Sequence, residues 1–160
     1  MRFIETLSGK RLSPPPIWIM RQAGRYLPEY RAIRETEPDF ISFCLNPNKA
    51  CEVTVQPIKR YQFDAAIIFS DILLIPWAME RNVRFIKGTG PKLDVVNSLK
   101  EIEVFAEKDL SNKYEAVGKA VRLARKTLPT KAALIGFSGA PWTLMTYLFE
   151  GEIGRASCRE

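Results

Sequence analysis

Two arginines, Arg21 and Arg25, enclose Gln22, Ala23 and Gly24. Guanidinium groups bind carboxylates through two parallel donors and keep their charge when buried, so the pair could grip a polyanionic ligand. On a helix the two would share a face, while Gly24 would also suit a tight turn; either geometry can bring both forks to one anion. The bland alternative is surface pairing with Glu29 or Glu35. Against it stands the run Ile17-Trp18-Ile19-Met20, which is expected to bury itself and leave the arginines beside the core. A second candidate is Asp71, just beyond the apolar run of residues 65–69 and ahead of Ile72-Leu73-Leu74-Ile75. A carboxylate at the C-terminal end of a parallel strand lies where α/β sheets and barrels place their ligand sites. Helix capping is the competing role, and in apolar surroundings the carboxylate needs a donor in either case. Third, the block from Gly136 to Tyr147 reads as strand, turn and helix. Its G-x-x-G spacing matches neither a P-loop nor a dinucleotide fingerprint, and Tyr147 could either meet a ligand or serve as a core tyrosine.

Composition narrows the chemistry further. The 160 residues include 24 Lys and Arg, 18 Asp and Glu and no histidine, a formal charge of +6. Within this chain that excludes Ser-His-Asp and Cys-His nucleophile pairs and H-E-x-x-H zinc sites. Cys44, Cys51 and Cys158 lack C-x-x-C spacing and are expected as buried free thiols, with no metal site. The cations are scattered rather than clustered among aromatics, which disfavours nucleic acid as a partner. The N-terminus has no apolar leader, and no apolar run approaches the roughly 20 residues that cross a bilayer, so a cytoplasmic, non-membrane protein is expected.

The elements that must position these residues follow from periodicity. Residues 3–7 read as a short helix or strand, and Ser13-Pro14-Pro15-Pro16 as a stiff link. A charged amphipathic segment runs over 28–43, broken at Pro38. Asn48 is expected to cap a helix over 49–61, with Ala50, Val53 and Ile58 on one side and a kink at Pro57. The continuous apolar run 64–69 predicts a strand buried on both faces, as in a parallel sheet. Residues 83–86 alternate like an exposed strand ending in a turn over 88–91, too poor a context for a phosphate loop. Leu110, Tyr114, Val117, Val121, Ala124 and Leu128 form one helical stripe, ended by Pro129. Residues 132–137 predict another buried strand, 138–141 a turn with Pro141 at a helix start, and 142–150 that helix. Strand, long helix and strand argue for βαβ units and a single α/β domain.

Three of these segments together resemble the uroporphyrinogen decarboxylase family. They are Pro15-Pro16-Ile17-Trp18-Ile19-Met20-Arg21-Gln22-Ala23-Gly24-Arg25-Tyr26-Leu27-Pro28-Glu29-Tyr30-Arg31, then Phe63-Asp64-Ala65-Ala66-Ile67-Ile68-Phe69-Ser70-Asp71-Ile72-Leu73, and residues 136–151, in family order and with family-like gaps. The resemblance covers residues 1–151. It implies a TIM (β/α)8 barrel of which only the N-terminal half is present, since such a barrel takes about 250 residues. It also implies a cofactor-free decarboxylase that converts the four acetate side chains of uroporphyrinogen III, giving coproporphyrinogen III, and that is a homodimer when complete. By that likeness Arg21 and Arg25 would hold substrate carboxylates, one of them a candidate proton donor, with Gln22, Ala23 and Gly24 forming the binding turn. Arg34 would add a contact, Asp71 would accept hydrogen bonds from the pyrrole N–H groups, and Tyr147 would sit in the same cleft. A related cobalamin-dependent methyltransferase on the same barrel, or a basic module for anions or nucleic acid, are the competing readings. Residues 152–160 depart from the family pattern and are similar to a translated adapter sequence, so they are expected to be a non-native tail. A half barrel exposes strand edges and an open core, and the isolated chain is expected to be inactive and poorly folded.

Overall fold

The computed structural model describes residues 1–19, 26–86, 89–106 and 108–151. The expectations placed on Met20, on Arg21, Gln22, Ala23, Gly24 and Arg25, and on the tail 152–160 with Cys158 therefore lie outside the described residues. The architecture is mixed α/β. It divides into two units, one of residues 1–70 with 116–137, the other of residues 71–115 with 138–160.

In the first unit, α1 (Arg2–Leu7) precedes the proline link, and α2 (Pro28–Glu35), α3 (Phe40–Cys44) and α4 (Pro47–Tyr61) follow. Pro38 separates α2 from α3, as the sequence suggests. Asp39 caps α3 by accepting from Ser42 N at 2.9 Å. The cap of α4 is Asn46, whose side chain accepts from Lys49 N at 3.2 Å, and not Asn48, which lies inside the helix. Pro47 decides this, because its fixed φ and missing N–H suit the first helical position. Helix α4 runs through Pro57 as one element, with Ala50, Val53 and Ile58 all buried.

Two of the predicted strands form and pair, but the second is shorter than expected, which leaves Phe137 outside it and 43% exposed. β1 (Ala65–Ile67) lies parallel to β4 (Ala133–Ile135), Ala65 opposite Ala133 and Ile67 opposite Ile135. A parallel neighbour needs a crossover rather than a hairpin, and α7 (Glu115–Thr127) is the long helix within it. A 3-10 turn (Ser111–Tyr114) replaces the first part of the predicted stripe. The buried line on α7 is Ala120, Ala124 and then Leu128, while Val121 is exposed; small residues let the helix approach its unit closely. Arg125 closes the corner after α7 by donating to three carbonyls, Ala132 O at 2.8 Å, Pro129 O at 3.1 Å and Leu128 O at 3.3 Å.

The core of this unit is aromatic. Phe69 packs 4.6 Å from Phe43 and 5.8 Å from Phe40 between ring centroids, and Tyr30 joins at 5.9 Å. Beneath them Thr54, fully buried, donates to Ala50 O at 2.7 Å and accepts from Phe69 N at 2.9 Å. Cys44 and Cys51 are buried free thiols, as expected.

The second unit holds α5 (Leu74–Ala78), a hairpin of β2 (Arg84–Ile86) and β3 (Gly90–Lys92), α6 (Leu99–Ala106) and α8 (Pro141–Glu150). Gly90 and Pro91, read as turn residues from the sequence, are strand residues that pair antiparallel with Ile86 and Phe85. A two-stranded sheet is all edge, so Pro91 has a place where no ladder donor is required. Helix α8 starts at Pro141 as predicted. It ends at Gly151, whose φ of 76° needs glycine and whose N–H returns to Tyr147 O at 2.8 Å. The stretch after β3 is tied to that end of α8, Val96 N donating to Leu148 O at 2.7 Å and Leu93 N to Gly151 O at 3.1 Å.

Candidate functional site

β1 is built to end in something polar. Ala65 and Ala66 are buried by packing on both faces, and Phe69 is locked by the Thr54 hydroxyl, two residues before Asp71. Past that lock the chain turns. Asp71, half-buried, accepts from Leu73 N through Oδ1 at 2.8 Å, and its carbonyl accepts from Leu74 N at 3.3 Å. The backbone of its own turn thus supplies the donor that the carboxylate requires. The capping alternative is realised only in part: α5 begins at Leu74 with Leu73 at the cap position, and Asp71 closes the turn ahead of it.

Tyr147, on the second turn of α8, comes close enough for electrostatic contact with Asp71. Burial raises the pKa of its hydroxyl above the ordinary tyrosine value, and the negative charge of Asp71 raises it further. A neutral phenol beside a carboxylate is a donor held ready. The turn that brings α8 there depends on Gly139. A Cβ on this residue would stand 2.9 Å from Leu144 Cγ and Cδ2 and 3.1 Å from Ile72 Cβ, so the backbone lies directly against the residue that follows Asp71.

Arg34 belongs to the first unit, where its Nη1 donates to Glu37 O at 2.9 Å. Burial would raise the Asp39 carboxyl, but hydrogen bonds from the Ser42 hydroxyl and from the Ser42 and Ile41 N–H groups, with a smaller contribution from the Arg34 charge, hold it below its ordinary value. Here the Arg34 side chain holds the corner between α2 and α3. Among the alternatives for the paired arginines, Glu29 is engaged by Arg60, whose Nη1 lies 3.0 Å from both of its oxygens. The segment that leads to Arg21 is less buried than its composition suggests: Ile17 is 52% and Ile19 50% exposed. Trp18 between them is partly buried, and polar contacts hold the start of the segment. Ile17 N donates to Asp64 Oδ2 at 2.8 Å, and Asp64 N donates back to Ile17 O at 3.0 Å.

Sequence reasoning named Asp71 and Tyr147, and the structure brings those two together. It overlooked Asp64, Thr54 and Gly139. Asp64 was hidden as the first residue of an apolar run, and Thr54 as a threonine among the mostly apolar buried positions of α4. Among the described residues no cluster of His, Cys, Asp or Glu could hold a metal ion, and no helix is long and apolar enough to cross a membrane.

Known proteins extend this picture. The uroporphyrinogen decarboxylase family model matches residues 1–157. The chain is 51% identical over 149 residues to the uroporphyrinogen decarboxylase of Rhodospirillum rubrum, covering 93% of this chain and 43% of that protein. It is 50% identical over 161 residues to that of Caulobacter vibrioides, with 99% and 45% covered, and 51% identical over 150 residues to that of Sinorhizobium fredii, with 94% and 43% covered. The chain spans less than half the length of these curated relatives. With a family match over nearly its whole length, the chain belongs to the uroporphyrinogen decarboxylase family.

Proposed function

We propose that this chain supplies the N-terminal half of a (β/α)8 barrel, and that the complete protein decarboxylates the four acetate side chains of uroporphyrinogen III to give coproporphyrinogen III, acting as a homodimer. The observation that carries the reading is the nearness of Asp71 and Tyr147, both within the residues that the family model matches. The parallel β1–β4 pair and the helix-bearing crossover between them support the barrel.

The chemistry divides as follows. Breaking the bond to the carboxylate leaves an electron pair, and a pyrrole protonated on a ring carbon accepts it as carbon dioxide departs. A second proton then converts the exocyclic methylene to methyl, and loss of the first restores the pyrrole. Each turnover therefore exchanges one carboxylate for one proton, with no external electron sink. Asp71 serves as acceptor for the pyrrole N–H groups and as counter-charge to the ring cation, an electrostatic contribution fixed before reaction by its turn. Tyr147, neutral beside Asp71, presents its hydroxyl to the substrate in the same cleft. Arg21 and Arg25, with the turn of Gln22, Ala23 and Gly24, hold the peripheral carboxylates, and Arg34 assists them.

The test is an anaerobic assay on the complete protein, with the oxidised porphyrins resolved by the number of carboxylates. Stepwise loss from eight to four is expected. Asp71→Asn should cut kcat by about 10²-fold or more, in the range seen when one preorganised charge-stabilising group is removed. Wild-type protein that binds no porphyrinogen, or an Asp71→Asn variant with full kcat, would sink the reading. The isolated 160-residue chain is expected to give no product.

A further inference from the structure

We propose that Arg81 is a positioning residue for Asp71 and Tyr147, because it grips both the helix that continues from Asp71 and the strap that holds the end of the helix carrying Tyr147. The inference rests on the reading above that these two side chains act on the substrate, and every residue in it belongs to the second unit.

On one side, the turn of Asp71 passes straight into α5, whose first residue, Leu74, donates from its N–H to Asp71 O at 3.3 Å. Helix α5 is five residues long, too short to hold its shape unaided, and Arg81 fastens its far end. Arg81 N donates to Pro76 O at 3.0 Å and Arg81 Nε to Met79 O at 3.3 Å, so main chain and guanidinium both serve carbonyls at that end. A helix this short spans only about 7.5 Å, and a slip at Met79 is carried to Asp71.

On the other side, Arg81 O accepts from Asp94 N at 2.8 Å. Asp94 lies in the strap of residues 93–96, where Leu93 N donates to Gly151 O at 3.1 Å and Val96 N to Leu148 O at 2.7 Å, at the end of α8. Leu93 and Val96 are buried, and a Cβ on Gly151 would stand 3.1 Å from Leu93 O, so strap and helix end lie in direct contact. Tyr147 belongs to that last turn, its carbonyl accepting from Gly151 N at 2.8 Å.

Arg81 is itself fixed. Its side chain is 13% exposed, and its Nη1 lies 2.8 Å from Glu101 Oε2. The hydrogen bond from Arg81, followed by that from the Asn97 N–H, holds the Glu101 carboxyl below its ordinary value against the effect of burial. Glu80 and Asn82, on either side of Arg81, have φ of 61° and 48°. Side chains other than glycine enter that left-handed region at a cost and stay there only where their surroundings dictate it.

The experiment uses the complete protein with Arg81→Met, Arg81→Lys and Glu101→Gln, each checked for folding by near-ultraviolet dichroism, and Asp39→Ala as a control that loses stability in the other unit. Arg81→Met should lower kcat about tenfold, within the about 10²-fold that a misplacement of about 1 Å can cause, and change KM by less than about threefold. The second readout is the coupling between the two side chains: the fall in the Tyr147 pKa caused by Asp71→Asn, followed by tyrosine-specific NMR titration with and without Arg81→Met. That fall should shrink to about half or less when Arg81 is replaced. Arg81→Lys keeps a charge for Glu101 but not the forked grip and should lie between wild type and Arg81→Met. Glu101→Gln keeps an oxygen for Arg81 and should hold kcat within about threefold of wild type. Asp39→Ala should leave both the coupling and kcat unchanged. Unchanged kcat or unchanged coupling in folded Arg81→Met, a lysine variant no better than methionine, or an equal change in Asp39→Ala overturns the proposal. So does a failure of both Arg81 variants to fold, which would make Arg81 a requirement for folding alone. If wild type shows no decarboxylation, the reading of the site fails, while the titrations still decide whether Arg81 holds Asp71 to Tyr147.

Discussion

Replacing Thr54 with valine should destabilise the protein although valine fills the same space. The Thr54 hydroxyl is buried, donates to Ala50 O at 2.7 Å and accepts from Phe69 N at 2.9 Å. Valine leaves the Phe69 N–H buried without an acceptor, at about 1–3 kcal/mol. The added methyl recovers about 0.8 kcal/mol of apolar burial, so the net loss is about 0.2–2 kcal/mol. For a chain of this size that corresponds to a fall in Tm of about 1–6 °C. Thr54→Ser, which keeps the hydroxyl and loses one methyl, separates the two contributions. Urea unfolding followed by far-ultraviolet dichroism is the assay, with the midpoint moving and the slope unchanged. A Thr54→Val protein as stable as wild type would refute the reasoning, since the Phe69 amide would then have no need of its partner. In the complete protein the same variant should lower activity more than its stability loss explains, because Phe69 is the last locked residue before Asp71.

Three further outcomes are expected. Gly139→Ala should cost about 1–3 kcal/mol through overpacking against Leu144 and Ile72, and adding Leu144→Ala should recover part of that loss in a double-mutant cycle measured by denaturation. Asp71→Asn should lower the pKa of Tyr147, by removing the negative charge beside it, yet leave it above the ordinary value because burial persists; a tyrosine-specific NMR titration reads this directly. Asp39→Ala should lose about 1 kcal/mol of helix capping at neutral pH. Because the native Asp39 carboxyl is depressed, its stabilisation is present above the unfolded value of about 4 and fades as pH falls through the lower native value; urea midpoints for variant and wild type should converge there.

The elements that sequence reasoning found are those whose signal is local. The run before Asp71 is apolar without alternation, which suits a strand covered on both faces, and Pro141 marks the start of α8 by its fixed φ. Helix α6 was overlooked although Ser98 and Glu101 carry a capping-box spacing, Glu101 N donating to Ser98 Oγ at 3.4 Å. β3 was hidden because Gly90 and Pro91 look like a turn and become a strand only by pairing with β2. The site divides in the same way. Asp71 stood out by its place at the end of a run, whereas its closeness to Tyr147 depends on the fit of Gly139 against Ile72, between residues 67 positions apart in sequence. Nor did the composition of residues 17–20 reveal that Ile17 is secured by hydrogen bonds rather than by burial.

The corner after α7 is fastened through main-chain oxygens alone, since Arg125 reads the carbonyls of residues 128, 129 and 132 and no side chain there. Such a joint is indifferent to what the intervening side chains are. Thr130 and Lys131 are exposed and free to drift between lineages without disturbing the entry to β4, whereas Arg125 itself has little room for exchange: lysine would bring one ammonium where a forked guanidinium serves three acceptors. Diversification of this bend is thus purchased by the constancy of one residue outside it.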